Sequence, residues 1–258
     1  MCTAPGEDFG PRAPAAVKEE ERRIRTRDGA ALRMFLAEPA TGFRRGAVLI
    51  IHDIWGYTDF YKDLARRITQ HGHAAALVDF FGRQGDLPVS MQAPERTGTR
   101  PEAMARARQR ADQLSDARFL ADMQSAVDDL QARGAQRVAL WGFCMGGRLA
   151  LVSAARTRGL SGVVAYYAFL KADAGRLAPL ELAGEIRVPV LAVFGGADEG
   201  VPAQQVTSFD KSLSGDKEVV TYPGAPHGFL RYGAGKHQAA IDDALARTYR
   251  FLSRVLSG

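Results

Sequence analysis

Apolar positions along this chain follow two rhythms. Ala47–Ile51, Val138–Trp141, Val163–Tyr167 and Val188–Phe194 are short continuous apolar runs, and Ala74–Phe80 is one interrupted only by Asp79. Runs of that length, rich in β-formers, predict strands buried on both faces. Arg23–Arg27 and Leu32–Ala37 alternate instead around Asp28-Gly29, a turn dipeptide, and predict a hairpin. Glu218–Tyr222 predicts a shorter strand. The second rhythm is helical. Asp59–Gln70 carries Leu64 and Ile68 on one face, with Asp59 as N-cap and His71-Gly72 as its end. Ser115–Arg133 has a full apolar stripe of Phe119, Met123, Ala126, Val127 and Leu130, capped by Ser115 and stopped by Gly134. Leu149–Ala155 and Ala239–Leu256 read as helical too, the latter with Ile241, Ala244, Tyr249, Phe251 and Leu252. After the hairpin the order is β-α-β, repeated. That calls for an α/β fold: a mostly parallel central sheet with an N-terminal antiparallel hairpin and helices on both faces.

Two stretches break the pattern. Residues 1–17, with Pro5, Gly6, Gly10, Pro11 and Pro14, have little to bury and predict a flexible lead. Gly82–Arg110 holds Gly85, Pro88, Pro94, Gly98 and Pro101 and then an Ala/Arg stretch; it reads as a long excursion over the top of the sheet. No internal repeat or second composition regime appears, so residues 18–258 are expected to form a single catalytic domain.

Composition narrows the function classes. Of 258 residues 46% are hydrophobic and 24% charged, ordinary for a globular protein. The net charge of +5 is spread over pairs such as Arg22-Arg23 and Arg66-Arg67, with no basic block interleaved with aromatics, so nucleic acid is not an expected partner. No apolar run approaches the ~20 residues of a membrane span, and no secretory h-region follows Met1. The two cysteines, Cys2 and Cys144, lack zinc-ligand spacing, and a disulfide between them is not expected. A free thiol suits a reducing compartment, and a cytoplasmic protein without metal or organic cofactor is expected, as monomer or small homo-oligomer.

Candidate chemistry gathers at Gly142-Phe143-Cys144-Met145-Gly146-Gly147. Strand, Gly-x-Cys-x-Gly, helix is a nucleophile elbow with sulfur in place of the usual hydroxyl. A thiol nucleophile needs a base, and the base needs an orienting acid. In the α/β-hydrolase arrangement these follow in the order nucleophile, acid, histidine. Asp198 lies just past the run ending at Phe194, and His227 follows Glu218–Tyr222 in a Pro- and Gly-rich loop. Cys144, Asp198 and His227 could thus meet at one edge of the sheet. Oxyanion donors would be the amide of Met145 and, from the loop His52-Asp53-Ile54-Trp55-Gly56, that of Ile54. His71, His73 and His237 have no strand-end context and read as surface residues.

Together with Asp79-Phe80-Phe81-Gly82-Arg83, Tyr166-Tyr167, Gly195 to Pro202 and His227-Gly228-Phe229-Leu230-Arg231, these pieces resemble the dienelactone hydrolases (carboxymethylenebutenolidases), a branch of the α/β-hydrolase fold, over about residues 23–256. The resemblance implies Cys144 as attacking thiol, His227 as proton carrier and Asp198 as its orienting acid. It implies Arg83 and Arg231 as a pair that holds a substrate carboxylate, with Trp55 and Tyr167 against the substrate. Asp53 stands where the family usually has glutamate, a residue tied to thiol activation. The resemblance therefore implies a cysteine-dependent hydrolase of anionic small-molecule lactones through a thioester acyl-enzyme. Alternatives on the same scaffold are a broader carboxylesterase, an acyltransferase or a non-catalytic binding protein.

Overall fold

The computed structural model describes residues 17–39, 46–85, 101–173 and 175–257. Eight strands form one sheet: β1 Val17–Arg25, β2 Ala31–Pro39, β3 Ala47–Ile51, β4 Ala74–Val78, β5 Val138–Phe143, β6 Leu160–Tyr166, β7 Val190–Gly195 and β8 Lys217–Tyr222. Their order is β1-β2-β4-β3-β5-β6-β7-β8. β1 and β2 pair antiparallel about the Asp28-Gly29 turn, β2 pairs antiparallel with β4, and every pair from β4 to β8 is parallel. Every residue of β3, β4, β5 and β7 is buried, whichever way its side chain points. That is why these strands appear in the sequence as unbroken apolar runs: helices cover both faces of the sheet.

The helices are α1 Asp59–Gln70, α2 Pro101–Gln113, α3 Asp116–Ala132, α4 Met145–Arg156, α5 Pro179–Leu182, α6 Ala203–Ser212, α7 Phe229–Tyr232 and α8 Gln238–Leu256. The apolar stripes read from the sequence are the buried faces of α1, α3 and α8. Several expectations are corrected. The N-cap of α1 is Thr58, with Asp59 inside the first turn, where its charge still complements the helix dipole. The Ala/Arg part of Gly82–Arg110 is the helix α2, preceded by a single 3₁₀ turn at Gly82–Gln84; residues 86–100 lie outside the described residues. His73 is buried at the entry to β4 rather than on the surface. Of the expected lead, residues 1–16 lie outside the described residues, and Val17 opens β1.

Register brings the loops of the site to one edge. Ile51 pairs with Gly142, Phe143 with Tyr166, Tyr166 with Val193, and Gly195 with Tyr222, so the C-terminal ends of β3, β5, β6, β7 and β8 are nearly level. The strand order also reverses between β3 and β5, because β4 lies on one side of β3 and β6 on the far side of β5. Such a reversal parts the flanking loops and opens a crevice at the strand ends.

Candidate active site

Cys144 occupies the one-residue link between β5 and α4, in a backbone conformation with φ 56° and ψ −118°. For a residue with a Cβ this is a strained region, held only because the surroundings over-determine it. The surroundings are glycine-made contacts. A Cβ on Gly142 would strike the Gly146 carbonyl and lie 2.8 Å from Ala150 Cβ; one on Gly146 would strike the carbonyl oxygens of Ile51 and His52. Strand and helix thus approach closely only with glycine at both positions. The Cys144 amide donates to Tyr166 O at 3.0 Å. The free thiol, 8% exposed, faces the floor of a cavity.

His227 and Asp198 arrive from neighbouring strand ends. Nδ1 of His227 lies 2.6 Å from Asp198 Oδ2, while Asp198 Oδ1 accepts from the Gly200 amide at 2.9 Å. Both carboxylate oxygens are therefore used, one to orient the ring and one to hold the turn after β7. The imidazole sits between Tyr167, edge-on at 5.1 Å, and Phe169, stacked at 5.2 Å. Its Nε2 is buried and makes no hydrogen bond of normal geometry, with the Cys144 sulfur as its polar neighbour. Burial by itself disfavours the charged ring; hydrogen bonding to Asp198 and interaction with Cys144 outweigh it, and raise His227 to about 10. Tyr167 is buried, near Asp53 and Cys144, and burial first and those two groups next hold its phenol well above the ordinary value, so it remains neutral.

The other wall is the loop after β3. Asp53 Oδ1 accepts from the Trp55 amide at 2.8 Å, its Oδ2 accepts from Arg231 Nη1 at 3.0 Å, and its own amide donates to the Tyr61 hydroxyl at 3.2 Å. This fixes the loop on which Ile54 stands. Among the described residues the turn and cap hydrogen bonds use neither the Ile54 amide nor that of Met145, the first residue of α4, whose N–H has no partner within its own helix. Arg231 is 1% exposed and lies over Phe60, with its guanidinium 4.8 Å from the ring centroid. Aromatic faces and the Asp53 carboxylate together make that burial tolerable.

The cavity encloses about 560 Å³, and its lining includes Cys144, His227, Asp53, Ile54, Met145, Trp55, Tyr167 and Arg231. That volume is ordinary for a small-molecule site. Arg83 is the exception among the expected residues. It is absent from the lining; its guanidinium binds Asp122 bidentately at 2.9 and 2.6 Å and Asp28 at 2.9 and 2.8 Å. A planar fork already paired with two carboxylates cannot also hold a substrate. Sequence reasoning also missed residues the structure brings in. Phe169 stacks on the imidazole from the loop after β6. Arg148, one turn into α4, makes a buried bidentate pair with Asp116 at 3.0 and 2.5 Å and donates to Leu177 O at 2.8 Å. Asp116 also accepts from the Leu177 amide at 2.7 Å. An arginine four residues after the cysteine is the only sequence signal of that strut.

Residues 32–256 match the dienelactone hydrolase family. The chain is 31% identical over 223 residues to the carboxymethylenebutenolidase of Rhodococcus opacus, covering 81% of each chain. It is 28% identical over 218 residues to a Methylorubrum extorquens protein named "Putative carboxymethylenebutenolidase", covering 81% of this chain and 71% of that one. Its fold is similar to the crystal structure titled "Putative Dienelactone Hydrolase" from Klebsiella pneumoniae, with a TM-score of 0.80, 26% identity, and 93% and 99% of the two chains covered.

Proposed function

We propose, for a chain that belongs to the dienelactone hydrolase family and is a carboxylic ester hydrolase, that Cys144 is its nucleophile and that its substrates are small anionic lactones or esters of the carboxymethylenebutenolide type. The observation that carries this reading is the orientation of His227: Nδ1 is anchored 2.6 Å from Asp198, which leaves Nε2 for the Cys144 side. A ring held in that sense accepts and returns protons at Nε2 only.

The reaction then runs in two halves. The sulfur attacks the ester carbonyl carbon, a C–S bond forms, and the carbonyl electron pair moves onto oxygen. The amides of Ile54 and Met145 are the donors for that oxyanion. Collapse breaks the C–O bond and expels the alcohol or enol oxygen, which takes the proton carried by His227. An enolate is a good leaving group, so a lactone with an enol oxygen suits a site whose acid is a weakly acidic imidazolium. The neutral imidazole left behind takes a proton from water, whose oxygen attacks the thioester. The C–S bond breaks, the acid product forms, and the sulfur returns beside the protonated ring. Asp53 acts here as a positioning group: it holds Ile54's loop through the Trp55 amide and holds Arg231 through its other oxygen. Arg231, which lines the cavity together with Cys144 and His227, is offered as a partner for a substrate carboxylate. Trp55 and Tyr167 supply apolar walls.

The test is turnover of a neutral activated aryl ester by Cys144→Ala and Cys144→Ser. Loss of at least ~10³-fold in kcat/KM in Cys144→Ala, with an unchanged circular dichroism spectrum, is expected. Wild-type rates in that variant would remove the thiol from the mechanism.

A further inference from the structure

Beside His227, five cationic side chains line the cavity: Arg108, Arg148, Lys171, Arg176 and Arg231. Three of them are paired with carboxylates of this chain. Arg148 is paired with Asp116 and Arg231 with Asp53. Arg176 donates to the carbonyls of Ala111 and Asp112, each at 3.1 Å, and lies 3.5 Å from the Asp112 carboxylate. Lys171 and Arg108 are different. Both are exposed, and among the described residues neither makes an ion pair or hydrogen bond. The only other carboxylate of the lining, Asp173, is likewise outside any ion pair among the described residues, which leaves this part of the lining net positive.

Their placement relative to the sulfur follows from the chain. Tyr167, Phe169 and Lys171 alternate along the segment leaving β6, and all three line the cavity. Tyr167 and Phe169 both touch the His227 ring. Two residues of chain span at most about 7 Å, so the Lys171 backbone lies within that reach of Phe169. Arg108 comes from a different wall. Met104, Arg108 and Ala111 lie on one face of α2 and line the same cavity. An ammonium and a guanidinium, on separate elements, thus stand at the exposed end of a cavity whose inner end is the buried thiol. The lining also includes the apolar side chains of Ile54, Trp55, Met104 and Phe169. The cavity is also larger than a compact single-ring lactone requires.

We propose that Lys171 and Arg108 form a distal anion subsite that binds a carboxylate at the far end of the substrate's acyl part, so that the favoured substrates are elongated ester or lactone acids with an apolar middle. This rests on the reading of Cys144 as the nucleophile. It gives the site two cationic stations: Arg231, buried beside Asp53, and the mouth pair, which takes the anionic group that a longer acyl chain carries outward. Arg83 has no part in it.

The experiment compares kcat/KM for para-nitrophenyl hemiglutarate, which carries a free carboxylate, with that for the neutral para-nitrophenyl butyrate. It uses the wild type and the Lys171→Glu, Lys171→Ala and Lys171→Arg variants of the full chain. The acid-to-neutral ratio is expected to fall about tenfold or more in Lys171→Glu, by less in Lys171→Ala, and to be largely retained in Lys171→Arg. Because only the ratio is read, a general loss of folding or of active-site titre cancels. A ratio unchanged in Lys171→Glu overturns the subsite while leaving the hydrolase reading in place. Absence of Cys144-dependent turnover of both esters overturns the hydrolase reading instead. The subsite is then read without turnover: glutarate should raise the Tm of the wild type and not of Lys171→Glu, and equal shifts in the two overturn it.

Discussion

At the scale of single residues, the charge on His227 organises the site. Its ring is half-buried between two aromatics, which by itself would favour the neutral form, yet it is raised from the ordinary 6.5 to about 10 by Asp198 and the Cys144 sulfur. The folded value lies above the unfolded one. The stabilisation that charged His227 contributes is therefore complete below about pH 6.5 and lost as pH climbs through about 10. Replacing Asp198 with Asn keeps a hydrogen-bonding group but removes its charge. In Asp198→Asn the NMR titration midpoint of His227 should move down from about 10 toward 6.5, and kcat should fall by ~10²–10⁴-fold. A midpoint that stays where it is would mean that Asp198 does not hold the proton on the ring. The same scale shows why Arg83 was misjudged. Its partners Asp28 and Asp122 are 55 and 39 residues away in sequence, and an arginine just past a strand end looks alike whether it faces a cavity or two acids of its own chain.

Between elements, the Arg148–Asp116 pair joins three pieces: α4, which begins at the thiol, the start of α3, and the segment ending at Leu177. Both side chains are 6% exposed, so removal of one partner strands a buried charge. Arg148→Met should destabilise the protein by about 3–5 kcal/mol, seen as a Tm lowered by roughly 10 °C, and Arg148→Met with Asp116→Leu should recover part of the loss. A Tm unchanged in the single variant would contradict the strut. Burial alone would raise the Asp116 carboxyl, but Arg148 and the Leu177 amide outweigh it and hold it below its ordinary value. Its contribution is therefore present above that ordinary value and lost as pH falls through the lowered one. Most elements were legible because their signal is hydrophobic. Strands buried on both faces must be continuously apolar, and α3 and α8 bury one broad stripe each. α2 was not, because the side chains it buries are Ala103, Ala107 and Ala111, which leave almost no amphipathic contrast against its arginines. The aromatic seat of His227 was equally silent, since stacking of Phe169 on the ring depends on how the loop after β6 turns back over the sheet.

Over the whole molecule, the sheet does two jobs. Its parallel half brings five loops to one edge, and the reversal between β3 and β5 opens the crevice above the elbow. Its antiparallel half is tied to the helical layer by Arg83, which links the β1–β2 turn at Asp28 to Asp122 on α3. Because the Asp122 side chain is only 2% exposed, Arg83→Ala should cost about 1–3 kcal/mol by chemical denaturation while leaving the acid-to-neutral ester ratio at the wild-type value. A selective loss of acid substrates in that variant would restore Arg83 to the binding site. The strand-end positions of Cys144, Asp198 and His227 were readable from sequence because each follows a recognisable strand. Which cations face the cavity was not, because that depends on pairings across the whole chain. All of this centres on a covalent step at one sulfur, and acid quenching during turnover of an activated ester, followed by peptide mass spectrometry, reads it most directly. The acyl group should be found as a thioester on the peptide that contains Cys144; an acyl group on any other side chain, or none while hydrolysis proceeds at full rate under conditions that trap thioesters, would contradict it.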